Sequence, residues 1–142
     1  MGRVADLLAT KGSQVHSVPR HAMVHDAVTR MVQFNVGSIV VLDGTIPAGI
    51  FTERDCLHRV TLERLDPRIT PVGQVMNTEL VRVDAARTIP ECMTIMTQSR
   101  IRHLLVVDGD RVLGLISIGD VVKHLSREQE SEIEHLTRYI TG

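Results

Sequence analysis

Gly49-Ile50-Phe51-Thr52-Glu53-Arg54-Asp55 occurs twice in this chain of 142 residues. Its echo is Gly114-Leu115-Ile116-Ser117-Ile118-Gly119-Asp120, an offset of 114 − 49 = 65 residues. Both copies run glycine, two apolar residues, a hydroxyl residue, two variable residues, aspartate. Both also follow an apolar run that ends in Asp-Gly, Ile39–Leu42 before Asp43-Gly44 and Leu104–Val107 before Asp108-Gly109. Asp-Gly between two apolar runs predicts a β-hairpin. The chain is therefore built from two structural units of one kind.

The chemistry of the stretch suits a ribonucleotide. The apolar pair predicts a strand, and Thr52 or Ser117 stands where a helix begins. Free amides and the positive end of a helix favour a phosphate there. The leading glycine offers no side chain to block a ligand. An ionised aspartate one turn on can accept two hydrogen bonds from the vicinal hydroxyls of a ribose. Ser/Thr-x-x-Asp is also close to a capping box, in which the acid serves only the helix's own amides. Arg102 and His103 lie at the entry to the second hairpin, facing that motif. The matching positions in the first repeat are Gly37 and Ser38, and Arg54 and Lys11 are the cations expected to compensate on the Asp55 side.

With these residues the chain resembles a tandem pair of cystathionine-β-synthase (CBS) domains, a Bateman module. Gly-x-x-Thr/Ser-x-x-Asp is that family's adenosine motif, and the similarity runs from about Val4 to Gly142. Thr52–Asp55, Arg100–Leu104, Ser117–Asp120 and the closing Tyr139-Ile140-Thr141-Gly142 are similar to small stand-alone members. The resemblance implies an α/β fold: two β-α-β-β-α repeats packed sheet to sheet about a pseudo-twofold axis, with a C-terminal helix. It places the first repeat at 4–64, a connector at 65–71, the second repeat at 72–126 and a helical tail at 127–142. The implied nucleotide contacts in the second repeat are Asp120, Ser117, Leu115, His103, Arg102 and Ile101, with Leu80 and Val81 from the strand before. In the first repeat they are Asp55, Thr52, Arg54, Ile50, Val15, Gly37 and Lys11. The implied ligand is AMP, ADP or ATP, or NAD(H), whose adenosine half satisfies the same motif. The implied assembly is a homodimer that regulates a separate protein partner. Two alternatives stand beside a nucleotide sensor: an NAD(H)-binding redox-linked regulator, and a ligand-free structural dimerisation module.

The remaining sequence is consistent with that expectation. Each repeat alone, at about 60 residues, is a marginal domain. Hydrophobic residues make up 43% of the chain with no Trp, one Tyr and two Phe, so the core is aliphatic. A net charge of −1 gives no general attraction to nucleic acid or to an anionic membrane. Cys56 and Cys92 fall at unrelated places in the repeats, forming neither a metal pair nor a disulfide framework, which predicts reduced thiols and a cytoplasmic protein. The N-terminus carries charge and has no long apolar run, so neither a signal peptide nor a membrane span is expected. Seven histidines show no recognised ligand spacing, and no nucleophile sits at a motif distance from a base. The expected helices are Val4–Ala9, Met23–Phe34, Arg54–Arg64 and Ile89–Gln98, with a charged one over Ser126–Thr141. The strands expected ahead of the hairpins are Gln14–Val18 and Leu80–Val83.

Overall fold

The computed structural model of the chain describes residues 2–141; Gly142 lies outside them, as do the side chains of Tyr139 and Thr141. The chain is α/β, as expected. In order it forms α1 (Val4–Lys11), β1 (Ser17–Pro19), α2 (Val24–Phe34), β2 (Ser38–Asp43), β3 (Ile46–Thr52) and α3 (Glu53–Asp55), which continues as a π-helical stretch over Cys56–Thr61. A 3-10 turn at Val72–Gln74 leads to β4 (Arg82–Val83), α4 (Ile89–Ser99), β5 (His103–Asp108), β6 (Arg111–Ser117) and α5 (Ile118–Thr141). The strands make two three-stranded sheets, β1-β2-β3 and β4-β5-β6, each with one parallel and one antiparallel pair.

The hairpins repeat to the residue. Ser38 pairs with Thr52 and His103 with Ser117, while Val41 faces Gly49 and Val106 faces Gly114. Each ladder shifts register just after that valine, and Gly44 and Gly109 supply the left-handed turn (φ 64 and 60). Other boundaries differ from expectation for local reasons. The first strand is short because its parallel pairing with β2 begins only at Val40, whose N–H reaches back to the His16 carbonyl. The helix expected through Arg64 stops at Thr61. Wide i→i+5 hydrogen bonds, such as Leu62 N–H to the Leu57 carbonyl, unwind it, and Arg64 is left-handed ahead of the Pro67 connector.

Two compact units emerge, one of residues 1–14 with 81–142 and the other of residues 15–80. Helix α1 thus belongs with the second hairpin, and the Val72–Gln74 turn with the first. The same hydrogen bonds hold both leading segments. Val4 N–H donates to the Arg87 carbonyl and Val72 N–H to the Ala22 carbonyl; Ala5 pairs with Ala85 as Gly73 does with Arg20. Each pair repeats at 68 residues on the donor side and 65 on the acceptor side (72 − 4, 87 − 22). Buried apolar side chains cluster within each unit. Val4, Leu7 and Leu8 join Ile89, Cys92, Met96, Leu104 and Ile116 in one cluster; Val72, Val75 and Met76 join Val24, Ala27, Met31, Ile39 and Phe51 in the other.

Candidate functional site

Both Ser/Thr-x-x-Asp motifs close as reciprocal caps. Thr52 N–H donates to Asp55 Oδ2 at 3.0 Å, and Asp55 N–H donates to Thr52 Oγ1 at 3.1 Å. In the second repeat Ser117 N–H donates to Asp120 Oδ2 at 2.8 Å, and Asp120 N–H to Ser117 Oγ at 3.1 Å. The first amide of each helix is also occupied. Glu53 N–H reaches the Gly37 carbonyl at 3.0 Å, and Ile118 N–H reaches the Arg102 carbonyl at 2.8 Å. The open rosette of amides expected for a phosphate is therefore largely spent on the chain itself. A phosphate at this end must depend on side-chain cations.

The motif glycines are spent in the same way. A Cβ on Gly49 would stand 2.7 Å from the Asn77 carbonyl oxygen and 2.7 Å from Met76 Sδ. On Gly114 it would meet Leu8 Cδ2 at 2.7 Å. Leu8 and Met76 correspond at the 68-residue offset (76 − 8), so both glycines admit the leading segment rather than a ligand. That corrects the expectation that they clear a ligand's path. Ile50 continues the contact: its N–H and carbonyl bond Asn77 at 2.9 and 2.8 Å.

Lys11 is not where the sequence put it. Docking of α1 in the unit of the second hairpin carries its ammonium to Asp120 Oδ2 at 2.6 Å and to the Leu115 carbonyl at 2.6 Å. The expectation that it compensates Asp55 is corrected accordingly. Asp55 instead has Arg59, whose Nε lies 3.7 Å from Oδ1 and whose Nη1 donates to the Met76 carbonyl at 2.9 Å. The sequence carried that signal, since Asp55 and Arg59 stand at i,i+4 on one helix. Gly37 has a neighbour as well: a Cβ there would lie 3.6 Å from the Glu53 carboxyl carbon. That side of the hairpin borders an acid.

The structure brings together Asp120, Ser117, Leu115 and Lys11, with His103 opposite Ser117 on the ladder. Arg102 is exposed just before β5, and the Ile101 N–H bonds the Met96 carbonyl beside it. Val81 accepts from Leu105 N–H in this unit, whereas Leu80 and Val15 are the end residues of the other. Arg54 is exposed one residue before Asp55. A cavity of about 260 Å3 opens at Asp120, lined also by Leu7, Thr10, Lys11, Lys123, His124 and Arg127. The last three were missed, although their spacing from Asp120 puts them on its face of α5.

Burial works to raise the Asp120 carboxyl, but the Lys11 hydrogen bond, the Ser117 amide and the Lys11 charge together hold it below the ordinary carboxylate range. A depressed pKa contributes stability that is complete above the unfolded value and lost as pH falls through the folded one. Replacing Lys11 by methionine should cost no more than about 1 kcal/mol near neutrality, because the pair is part-exposed. It should also shrink the loss on acidification. Thermal melts between about pH 6 and 3 check this; parallel curves for wild type and variant would remove Lys11 as the cause. Burial pushes the Cys56 and Cys92 thiols up, the opposite of what an activated nucleophile requires.

Comparison with known proteins places these features in a group. The pattern of the CBS domain matches residues 4–61 and again 72–127. The mitochondrial CBS domain-containing protein CBSX3 of Arabidopsis thaliana is 34% identical over 148 aligned residues, covering 98% of this chain and 72% of its own. A protein with CBS domains from Burkholderia ambifaria superposes with a TM-score of 0.85 at 37% identity, covering 90% of this chain and 96% of its own. The CBS domain protein PAE2072 from Pyrobaculum aerophilum, solved in complex with AMP, gives a TM-score of 0.74 at 25% identity, covering 89% and 99%.

Proposed function

The chain belongs to the CBS-domain family, and from that premise we propose that it is a non-catalytic regulatory module that binds an adenine nucleotide and acts on a partner protein. The carrying observation is Asp120. Its Ser117 and Lys11 contacts both use Oδ2, so Oδ1 is turned to neither, and a cavity opens beside it. In this reading Asp120 accepts from the ribose hydroxyls, Ser117 donates its O–H to the 5′-phosphate, and Arg102 and His103 neutralise it. The AMP complex of the Pyrobaculum relative supports the ligand class. A ligand at about 100 times its Kd should stabilise the protein by roughly 2.7 kcal/mol, a melting shift of several degrees. AMP, ADP, ATP, NAD and NADH at millimolar concentration form the panel. A melting curve unmoved by all five rejects the sensor and leaves a structural dimerisation module.

We read the assembly as a homodimer, from apolar side chains that no core claims. Val121 and Val60, on the helices that follow the two motifs, are buried in their own units, and Leu125 packs partly on its core. Val122 and Leu57 remain 52% and 59% exposed, and Ile133, Leu136 and Ile140 form an exposed stripe down α5. Patches of that kind mark interfaces. Light scattering at micromolar protein should return the mass of two chains; one chain's mass, with or without nucleotide, rejects the dimer. Among the described residues no helix is long and apolar enough to cross a membrane.

A further inference from the structure

The cavity at Asp120 holds more positive charge than the motif uses. Lys11 is matched by Asp120 at 2.6 Å. Glu128 accepts from Gly2 N–H at 3.0 Å and lies 3.3 Å from His124 Nε2. Lys123 and Arg127, in the lining of the cavity, make no ion pair among the described residues. The cluster is also particular to this repeat. The positions of Lys123 and Arg127 correspond at the 65-residue offset to His58 and Leu62, and that of Lys11 at the 68-residue offset to Glu79. Solvated surface cations on a repeated helix would not need to gather around one motif aspartate and not the other.

We propose that this cavity is an oxyanion subsite, and that the nucleotide held on Asp120 carries a second phosphate on the 2′ or 3′ side of its ribose. The proposal rests on the adenine-nucleotide reading of Asp120 and specifies its ligand. A carboxylate that binds the vicinal hydroxyls turns the 5′-carbon of the sugar away, toward Ser117, Arg102 and His103. Lys123 and Arg127 lie on the other side, about 4.5 and 10.5 Å along α5 from Asp120 at 1.5 Å per residue. They therefore meet what projects from the 2′,3′ edge and not the 5′-phosphate. A cavity of about 260 Å3 is below the roughly 300–1,000 Å3 of a site for a whole small molecule. It fits one substituent of a ligand seated mainly elsewhere. Repulsion between that phosphate and Asp120 is offset by Lys11, already in contact with the carboxylate and within reach of both.

Titration calorimetry with AMP, adenosine 3′,5′-bisphosphate, its 2′,5′ isomer and inorganic phosphate tests this on wild type and on a Lys123→Gln/Arg127→Gln variant. Two charge-assisted contacts should make at least one bisphosphate bind about tenfold tighter than AMP to wild type. The variant should keep wild-type affinity for AMP and lose that tenfold. Equal binding of AMP and both bisphosphates to wild type overturns the proposal. So does a variant that weakens AMP and bisphosphate by one common factor. If no nucleotide binds at all, the adenine reading fails and inorganic phosphate decides the subsite alone. Uptake by wild type and not by the variant keeps the oxyanion site; no uptake by wild type removes it.

Discussion

Alanine at Gly49 should lower stability by about 1–3 kcal/mol or more, the cost of forcing a methyl into a filled site. The added Cβ meets a backbone oxygen, Asn77 O, at 2.7 Å as well as the Met76 sulfur. Only the sulfur can swing aside, because Asn77 is tied to Ile50 by two backbone hydrogen bonds. Gly114→Ala should cost less, since its nearest obstacle is the end of the Leu8 side chain. The two sites should then answer differently to a second change. Leu8→Ala should relieve much of the Gly114→Ala penalty, giving a strongly non-additive pair. Met76→Ala should relieve only part of the Gly49→Ala penalty. Denaturant melts of the four single variants and two doubles measure all of this. A Gly49→Ala protein that melts like wild type but binds nucleotide poorly would restore the role first expected for that glycine, clearing the ligand's path.

Asp120→Asn should weaken adenine-nucleotide binding about tenfold to a hundredfold, since a hydrogen bond to a charged acceptor contributes roughly 1.5–3 kcal/mol. The melting temperature should move much less. Asparagine keeps a carbonyl oxygen for the Ser117 amide, and the part-exposed Lys11 pair is worth at most about 1 kcal/mol. A 2′,3′-dideoxy nucleotide should show a similar loss against wild type. Because the structure shows the reciprocal cap outright, the opposite result has a clear meaning. Normal binding with a much lower melting temperature would make Asp120 a helix cap and nothing more. Asp55→Asn is the natural comparison. Asp55 has Arg59 at 3.7 Å but not Lys11, and Gly37 and Ser38 stand where the second repeat has Arg102 and His103, so its loss should cost charged mononucleotides less.

The repeat, the two hairpins and the reciprocal Ser/Thr–Asp spacing were legible in the sequence because each is a local matter. Asp-Gly sets a left-handed turn within a few residues, a short apolar run sets a strand, and a hydroxyl three residues before an acid closes its hydrogen bonds within one turn. Those elements appear at the expected places, and the structure adds the register that sets Val41 on Gly49 and Val106 on Gly114. Boundaries moved where distant partners intervened, as at β1. Tertiary structure alone decided which leading segment completes which unit. Nothing local in Val4–Lys11 states that Leu8 seats on Gly114, 106 residues away (114 − 8). That choice arises from shape fit between a glycine notch and a leucine, reinforced by backbone bonds to Ala85 and Arg87. It carries Lys11 from the aspartate beside which the sequence suggested it to the other one, and with it the charge that distinguishes the two motifs.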